Sequence, residues 1–299
     1  MSAVGFIGLG IMGSPMAVHL QEAGHRVSGY NPSDKSGPLV EAGGHKASSI
    51  ADAVQGADVV AIMVPDSPDV QEVLTGPGGV FESAAPGTLV IDFSSIRPDV
   101  TAELAETARE RGFRLLDAPV SGGEAGAKNA ALSIMVGGAA EDFAAAAPIF
   151  DAVGKTIVHV GPNGAGQTVK AANQLIVAVN IEAVAEALVF LEAYGVDTEA
   201  ALDVLGGGLA GSKALEQKRE NMLRRSFAPG FRIDLHHKDM GIVTSAAREA
   251  GVILPLGALA AQLMASARAC GDGDLDHSGL LRGVERLSGR MTYSTETEH

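Results

Sequence analysis

Residues 4–13, VGFIGLGIMG, put three glycines directly behind a short apolar run and directly before the helical pattern MAVHLQEAG (16–24). The run VGFIG (4–8) reads as a buried strand, and the spacing Gly8, Gly10, Gly13 reads as a strand-to-helix turn. In such a turn the first glycine permits the tight bend, the second lets the backbone approach a bound group, and the third lets helix and strand pack closely. A strand, this spacing and a helix in that order can hold a dinucleotide pyrophosphate on the helix N-terminal N–H groups. An unliganded glycine-rich turn would carry the same local pattern. Gly8, Leu9, Gly10, Ile11, Met12 and Gly13 are thus the first candidate cofactor-binding residues.

Outward from this loop, short apolar runs alternate with helical patterns through residue 163. The runs RVSGY (26–30), VVAIMV (59–64), LVIDF (89–93), RLLDA (114–118) and LSIMVGG (132–138) follow the first strand. This alternation predicts an α/β domain, a Rossmann-type, doubly wound and mostly parallel sheet with helices on both faces. After residue 163 the strand runs stop, and helical spacing appears at 165–195, 198–206, 212–225, 235–251, 255–271 and 277–288. The expected organisation is a dinucleotide-binding domain at 1–163, an all-α domain for substrate and oligomerisation at 164–290, and a frayed tail at 291–299.

Composition narrows the function classes. The 299 residues carry a formal net charge of −14, which argues against a nucleic-acid partner. Hydrophobic content of 46% with 19% charged residues marks a globular chain. Cys270 stands alone, so no disulfide framework or cysteine-based zinc site is expected. The apolar N-terminus lacks a basic leader, and the long helix carries Asn180, Glu182, Glu186 and Glu192. A soluble cytoplasmic protein without a membrane partner is the expectation, assembled as a homo-oligomer, dimer or tetramer, through its helical half.

Ligands of doubly wound sheets sit beyond the carboxyl ends of the strands. Asn31, at the tip of the second strand, can meet a ribose, and neither an acid nor an arginine there selects between NAD and NADP. Val64, Pro65 and Ser95 follow the next two strands at the same edge; Ser95 can equally cap the helix that begins near Pro98. Ser121, Gly122 and Gly123 close the fifth strand with a hydroxyl and two glycines, an anion nest suited to a carboxylate or a plain loop. In GAGQTVKAANQ (164–174), helical spacing puts Gly166, Lys170, Asn173 and Gln174 on one face, with Gly166 opening space beside the lysine. Lys170 can hand a proton to a substrate oxygen there, or snorkel to solvent from a helix end. The adjacent His236 and His237 point to different helix faces and do not make a metal site, and His277 with Asp276 reads as capping or packing.

GFIGLGIMG (5–13), DAPVSGG (117–123), GAGQTVKAANQ (164–174) and LHHKD (235–239) resemble, in order and over nearly the whole chain, the β-hydroxyacid dehydrogenase family. GGLAGS (207–212) and PGFRIDLHHKD (229–239) are similar to the branch of that family that reduces tartronate semialdehyde. The resemblance implies an NAD- or NADP-dependent oxidoreductase acting on a small carboxylate-bearing semialdehyde or hydroxyacid. It implies Lys170 as the catalytic lysine, Ser121, Gly122 and Gly123 as the substrate-carboxylate loop, and Phe231 and Lys238 as cofactor contacts. Many relatives carry Asn four residues after the lysine; here Gln174 stands there with Asn173 before it, and both are taken as substrate contacts. A 3-hydroxyisobutyrate dehydrogenase, an imine reductase and a non-catalytic dinucleotide sensor are the alternatives.

Overall fold

The computed structural model describes residues 1–290, so the expected frayed tail at 291–299 lies outside the described residues. The chain forms two compact units, Met1–Lys170 and the residues from Ala171 onward. The first unit has strands β1 (Ala3–Ile7), β2 (Arg26–Tyr30), β3 (His45–Lys46), β4 (Val59–Ile62) and β5 (Leu89–Asp92). It continues with β6 (Arg114–Asp117), β7 (Val120–Ser121), β8 (Leu132–Gly137) and β9 (Gly154–Gly161). Between them run α1 (Gly13–Glu22), α2 (Gly37–Glu41), α3 (Ile50–Val54), α4 (Ser67–Thr75), α5 (Val80–Ser83) and α6 (Pro98–Glu110). Helices α7 (Gly123–Lys128), α8 (Ala140–Ala145) and α9 (Ala147–Val153) complete that set.

The sheet order is β3-β2-β1-β4-β5-β6-β8-β7, with β9 beside β8. Strands β1 to β6 are parallel to one another, whereas β8 runs antiparallel to β6 and β7. Chain order reverses at β1, which lies between β2 and β4, and the glycine loop leaves β1 at that switch point. Successive side chains alternate between the two faces: Val4, Phe6, Val59, Ala61, Leu89, Ile91 and Leu116 join one core. Ile7, Val60, Ile62, Val90 and Leu115 join the other. Central strands covered on both faces therefore read as continuous apolar runs.

Three strands escaped that reading. β3 and β7 have two residues each, too few for a period, and β9 has no fully buried residue along GKTIVHVG. The capping role offered for Ser95 is also corrected: α6 begins at Pro98, as expected, but Arg97 stands at its N-cap. Proline favours the first helical position, where its missing N–H costs nothing, and this sets the cap one residue before it.

The 29-residue α10 (Ala165–Ala193) runs out of the first unit and into the second. The second unit adds α11 (Thr198–Gly206), α12 (Lys213–Leu223), α13 (Ile233–Glu249), α14 (Pro255–Ala269) and α15 (Leu280–Leu287), the last preceded by a 3-10 turn at His277–Gly279. Its core gathers Ala178, Ile181, Ala185 and Leu188 of α10 with Met222, Ile233, Met240, Met264 and Leu281. Among the described residues, α10 is the one helix long and apolar enough to cross a membrane by length and composition. Its inward face is core, while Ile176 and Phe190 stand exposed.

Glu182 lies on the buried side of α10, and one of its carboxylate oxygens, Oε2, has no hydrogen-bond partner. Burial first, then the charge of Glu186 one turn on, pushes its pKa from 4.5 to about 7. A carboxyl with a raised folded pKa adds stability below its unfolded pKa and loses it as pH rises through the folded value. Stability is therefore expected to fall between pH 4.5 and about 7 from this group. Glu182→Gln should flatten that slope and gain on the order of 2 kcal/mol at pH 8, measured by urea unfolding across pH.

Candidate active site

The glycine loop is built by contacts that only glycines allow. Gly8 has φ +99°, and a Cβ there would run into the Met63 carbonyl; a Cβ at Gly13 would strike the Gly8 carbonyl. At Gly10, by contrast, no atom lies within 4 Å of where a Cβ would stand. Open space at the start of α1 fits the phosphates of a dinucleotide. Asn31 braces this loop: its Oδ1 accepts the Leu9 N–H at 3.0 Å, and its Nδ2 donates to the Ser33 carbonyl at 2.7 Å. Leu9 is buried, whereas Ile11 is exposed and Met12 half-buried at the head of α1. The Val64 N–H donates to the Ser94 hydroxyl at 3.0 Å, tying the loop after β4 to the loop after β5. Pro65 is exposed beside it, and Ser95 is half-buried.

Asp117, at the end of β6, is fully buried and faces the first turn of α10. Its Oδ1 accepts the Gly164 N–H at 2.9 Å and its Oδ2 the Gln167 N–H at 3.1 Å. Helix N-termini leave such N–H groups without intrahelical partners and favour negative charge. Burial pushes the Asp117 carboxyl pKa up, and the backbone N–H groups of Gly164, Gln167 and Gly166 pull against it. Gly166 corrects the sequence reading. It opens no space beside the lysine, since a Cβ there would come within 2.7 Å of the Asp117 Oδ2 and 2.8 Å of its carbonyl. Its role is to let the helix lie against the strand.

Gln167 completes the attachment. Its Oε1 accepts the Ile96 N–H at 3.1 Å and its Nε2 donates to the Ser94 carbonyl at 2.8 Å. Lys170 follows less than one turn later and is only 8% exposed, so it does not snorkel to solvent. The same unit presents the candidate carboxylate loop. Val120 and Ser121 pair with Ile134 and Ser133 of β8, and the Pro119 carbonyl accepts the Met135 N–H at 3.1 Å. Gly122 and Gly123 have φ of +136° and +60°, with open space where a Gly123 side chain would stand.

In the second unit, Gln174 is buried and Asn173 half-buried. The Asn173 Nδ2 donates to Gln174 Oε1 at 2.8 Å, and Gln174 Nε2 donates to Asp239 Oδ2 at 2.5 Å. Lys238 pairs with the other Asp239 oxygen at 2.9 Å. Phe231 stands edge-on to His236 and His277, with ring centroids 5.6 and 5.4 Å away. His236 is fully buried and His237 is not, as their adjacency requires, and Asp276 caps the turn at His277. Among the described residues, no group of three His, Cys, Asp or Glu could hold a metal ion.

Sequence reasoning passed over Asp117, Gln167, Ser94 and Asp239 as working residues. All are buried polar groups, three near the ends of apolar segments and Asp239 inside α13, and a buried polar residue needs a partner. That much could have flagged them, though not what they bind.

Two predictions follow from this geometry. Asp117→Ala leaves buried helix donors unpaired and should lower the unfolding free energy by about 2–4 kcal/mol, with Asp117→Asn losing less, by denaturant titration. Gly10→Val puts its Cβ into the open space without striking the protein. It should weaken NAD(P)H binding roughly tenfold or more in a fluorescence titration while Tm stays within about 2 °C.

Comparison with known proteins agrees along the chain. Residues 3–161 match the family described as the NAD binding domain of 6-phosphogluconate dehydrogenase. Residues 164–284 match that described as NAD-binding of NADP-dependent 3-hydroxyisobutyrate dehydrogenase. The 2-hydroxy-3-oxopropionate reductase of Escherichia coli K12 is 43% identical, covering 95% of this chain and 98% of its own. The 2-(hydroxymethyl)glutarate dehydrogenase of Eubacterium barkeri is 38% identical, covering 96% of each. The solved 3-hydroxyisobutyrate dehydrogenase of Mycobacterium tuberculosis with L-serine superposes with a TM-score of 0.87 at 35% identity, over 94% of this chain and 98% of that one. A Rossmann-type sheet followed by a helical domain, a glycine loop shaped for NAD(P), and these matches over both halves make this chain a member of the 3-hydroxyisobutyrate dehydrogenase family of NAD(P)-dependent oxidoreductases.

Proposed function

We propose that this protein reduces tartronate semialdehyde (2-hydroxy-3-oxopropionate) to glycerate, reversibly, with NAD or NADP. The observation that carries the reading is Lys170, withdrawn from solvent on a helix whose first turn is bound to Asp117, Ser94 and Ile96. The 43% identity to a 2-hydroxy-3-oxopropionate reductase supports the choice of substrate.

Gly8, Leu9, Gly10, Ile11, Met12 and Gly13 hold the dinucleotide phosphates, with Val64, Pro65, Ser95, Phe231 and Lys238 as further cofactor contacts. The dinucleotide, when bound, supplies the hydride that the aldehyde carbon accepts. Lys170 donates a proton from its ammonium group to the carbonyl oxygen as negative charge develops there, and takes up another from solvent afterwards. The Ser121 hydroxyl and the N–H groups of Gly122 and Gly123 bind the substrate carboxylate and so orient the carbonyl, converting binding into positioning. Asn173 and Gln174 supply the amides beside the lysine.

A short 3-hydroxyacid such as 3-hydroxyisobutyrate is the second reading, favoured by the 37% identity to a Pseudomonas aeruginosa 3-hydroxyisobutyrate dehydrogenase over 94% of this chain. Initial rates with tartronate semialdehyde and methylmalonate semialdehyde, side by side and with both cofactors, decide between them. The enzyme is proposed to be cytoplasmic and a homo-oligomer, dimer or tetramer, with the exposed Ile176 and Phe190 of α10 as apolar surface that a second copy could cover.

Lys170→Ala should lower kcat by roughly 10²–10⁴-fold with NAD(P)H affinity nearly unchanged. Turnover close to wild type in that variant would sink the proton-donor role. NAD(P)H binding with no hydride transfer across a panel of short hydroxyacids would instead point to a dinucleotide sensor.

A further inference from the structure

Two histidines that the mechanism does not use are buried side by side in the helical unit, their rings tilted by 51°. His236 on α13 is fully buried and His277 is 5% exposed, and their Nδ1 atoms lie 3.0 Å apart. The His236 Nε2 lies 3.1 Å from the Gln174 backbone carbonyl, which can only accept, so Nε2 carries a hydrogen. A neutral His236 then has a bare Nδ1, and the His277 Nδ1 must carry the hydrogen that joins the rings. That leaves His277 Nε2 bare, and this atom is buried with no hydrogen-bond partner. Charging either ring would put an N–H at that position with no acceptor, the costlier arrangement in a buried site.

The surroundings agree. Burial holds the His277 pKa well below the usual histidine range; a protonated His236 would push the same way, as the Lys218 ammonium does, against Asp276. Asp276 itself is fully engaged. Its Oδ2 accepts from Lys218 Nζ at 2.9 Å and from the N–H groups of Gly230 and Phe231 at 3.0 Å each. Its Oδ1 accepts from the Ser278 hydroxyl at 2.7 Å and N–H at 3.1 Å.

Both rings touch residues of the proposed site. The Phe231 ring packs edge-on against both, its N–H is held by Asp276, and its carbonyl accepts the His277 N–H at 2.9 Å. Gln174 is gripped by one helix at two points. His236 takes its backbone carbonyl, and Asp239, three residues on and on the same face of α13, takes its side-chain amide. We propose that His236 and His277 form a neutral pair of opposite tautomers whose task is to hold Gln174 and Phe231 in place for the reaction, as positioning residues. This rests on the reading of Gln174 and Phe231 as site residues under the proposed function. A displacement of about 1 Å at such residues can cost on the order of 100-fold in rate.

The test uses the full chain and whichever short semialdehyde the wild type reduces. His236→Leu should lower kcat about 10- to 100-fold, through the loosened Gln174, and weaken NAD(P)H binding only as far as Phe231 moves. His236→Gln, whose amide N–H can reach the Gln174 carbonyl, should recover most of that loss. A purely structural role would lower Tm in both variants and leave kcat per folded molecule alike, which overturns the proposal. Independently of turnover, ¹⁵N–¹H spectra of the wild type at pH 7 should report Nε2–H for His236 and Nδ1–H for His277, both rings neutral. The reverse tautomers, or a charged ring, overturn it as well. A wild type that reduces no short semialdehyde sinks the functional reading, while the pair is still judged by those spectra and by whether the Gln174 environment moves in His236→Leu.

Discussion

One buried carboxylate ties the lysine-bearing helix α10 to the sheet. Asp117 ends β6 and takes the Gly164 and Gln167 N–H groups at the start of α10. An α-helix presents its unpaired donors and the positive end of its dipole at this point, so a carboxylate there satisfies both at once. Replacing water by two fixed N–H groups offsets part of the cost of burying the acid, which still shows in its raised pKa. Gly166 is the steric condition for this approach, because any side chain would push the helix off the strand. Once the first turn is seated, Gln167 reaches Ser94 and Ile96, and Lys170 is carried to a buried position on a braced helix.

The helical unit uses the same device a second time. Asp276 gathers the Gly230, Phe231 and Ser278 N–H groups and the Lys218 ammonium around one buried carboxylate. In each unit a loop that would otherwise be free is pinned through its backbone rather than through bulky packing. This suits a chain with 38 glycines and no tryptophan, in which side-chain volume cannot supply rigidity and close backbone approach must.

Legibility followed the physics of each element. The central strands are covered on both faces and announce themselves as apolar runs, and the long helices of the second unit carry a clear 3.6-residue period. The two-residue strands β3 and β7 and the half-buried strand β9 carry no such period. The candidate site was legible where chemistry is local: the glycine loop, the Ser121–Gly123 turn and Lys170 within its motif. It was not legible where a residue serves another segment. Ser95 looked like a helix cap but the cap fell on Arg97, and Gly166 looked like room for the lysine but is the contact between helix and strand.

The sequence by itself therefore determined the fold class, the turn at Gly8–Gly13 and the change from mixed to helical structure, because each depends on spacings of two to four residues. Tertiary structure alone decided how the buried polar groups are paired. Asp117 meets Gly164 across 47 positions, Gln174 meets Asp239 across 65, and His236 meets His277 across 41. A buried polar side chain must find a partner, but nothing periodic in the chain says which one. That choice is made only when the helices and strands are packed, and here it separates the lysine proposed to move a proton from the residues that hold the site still.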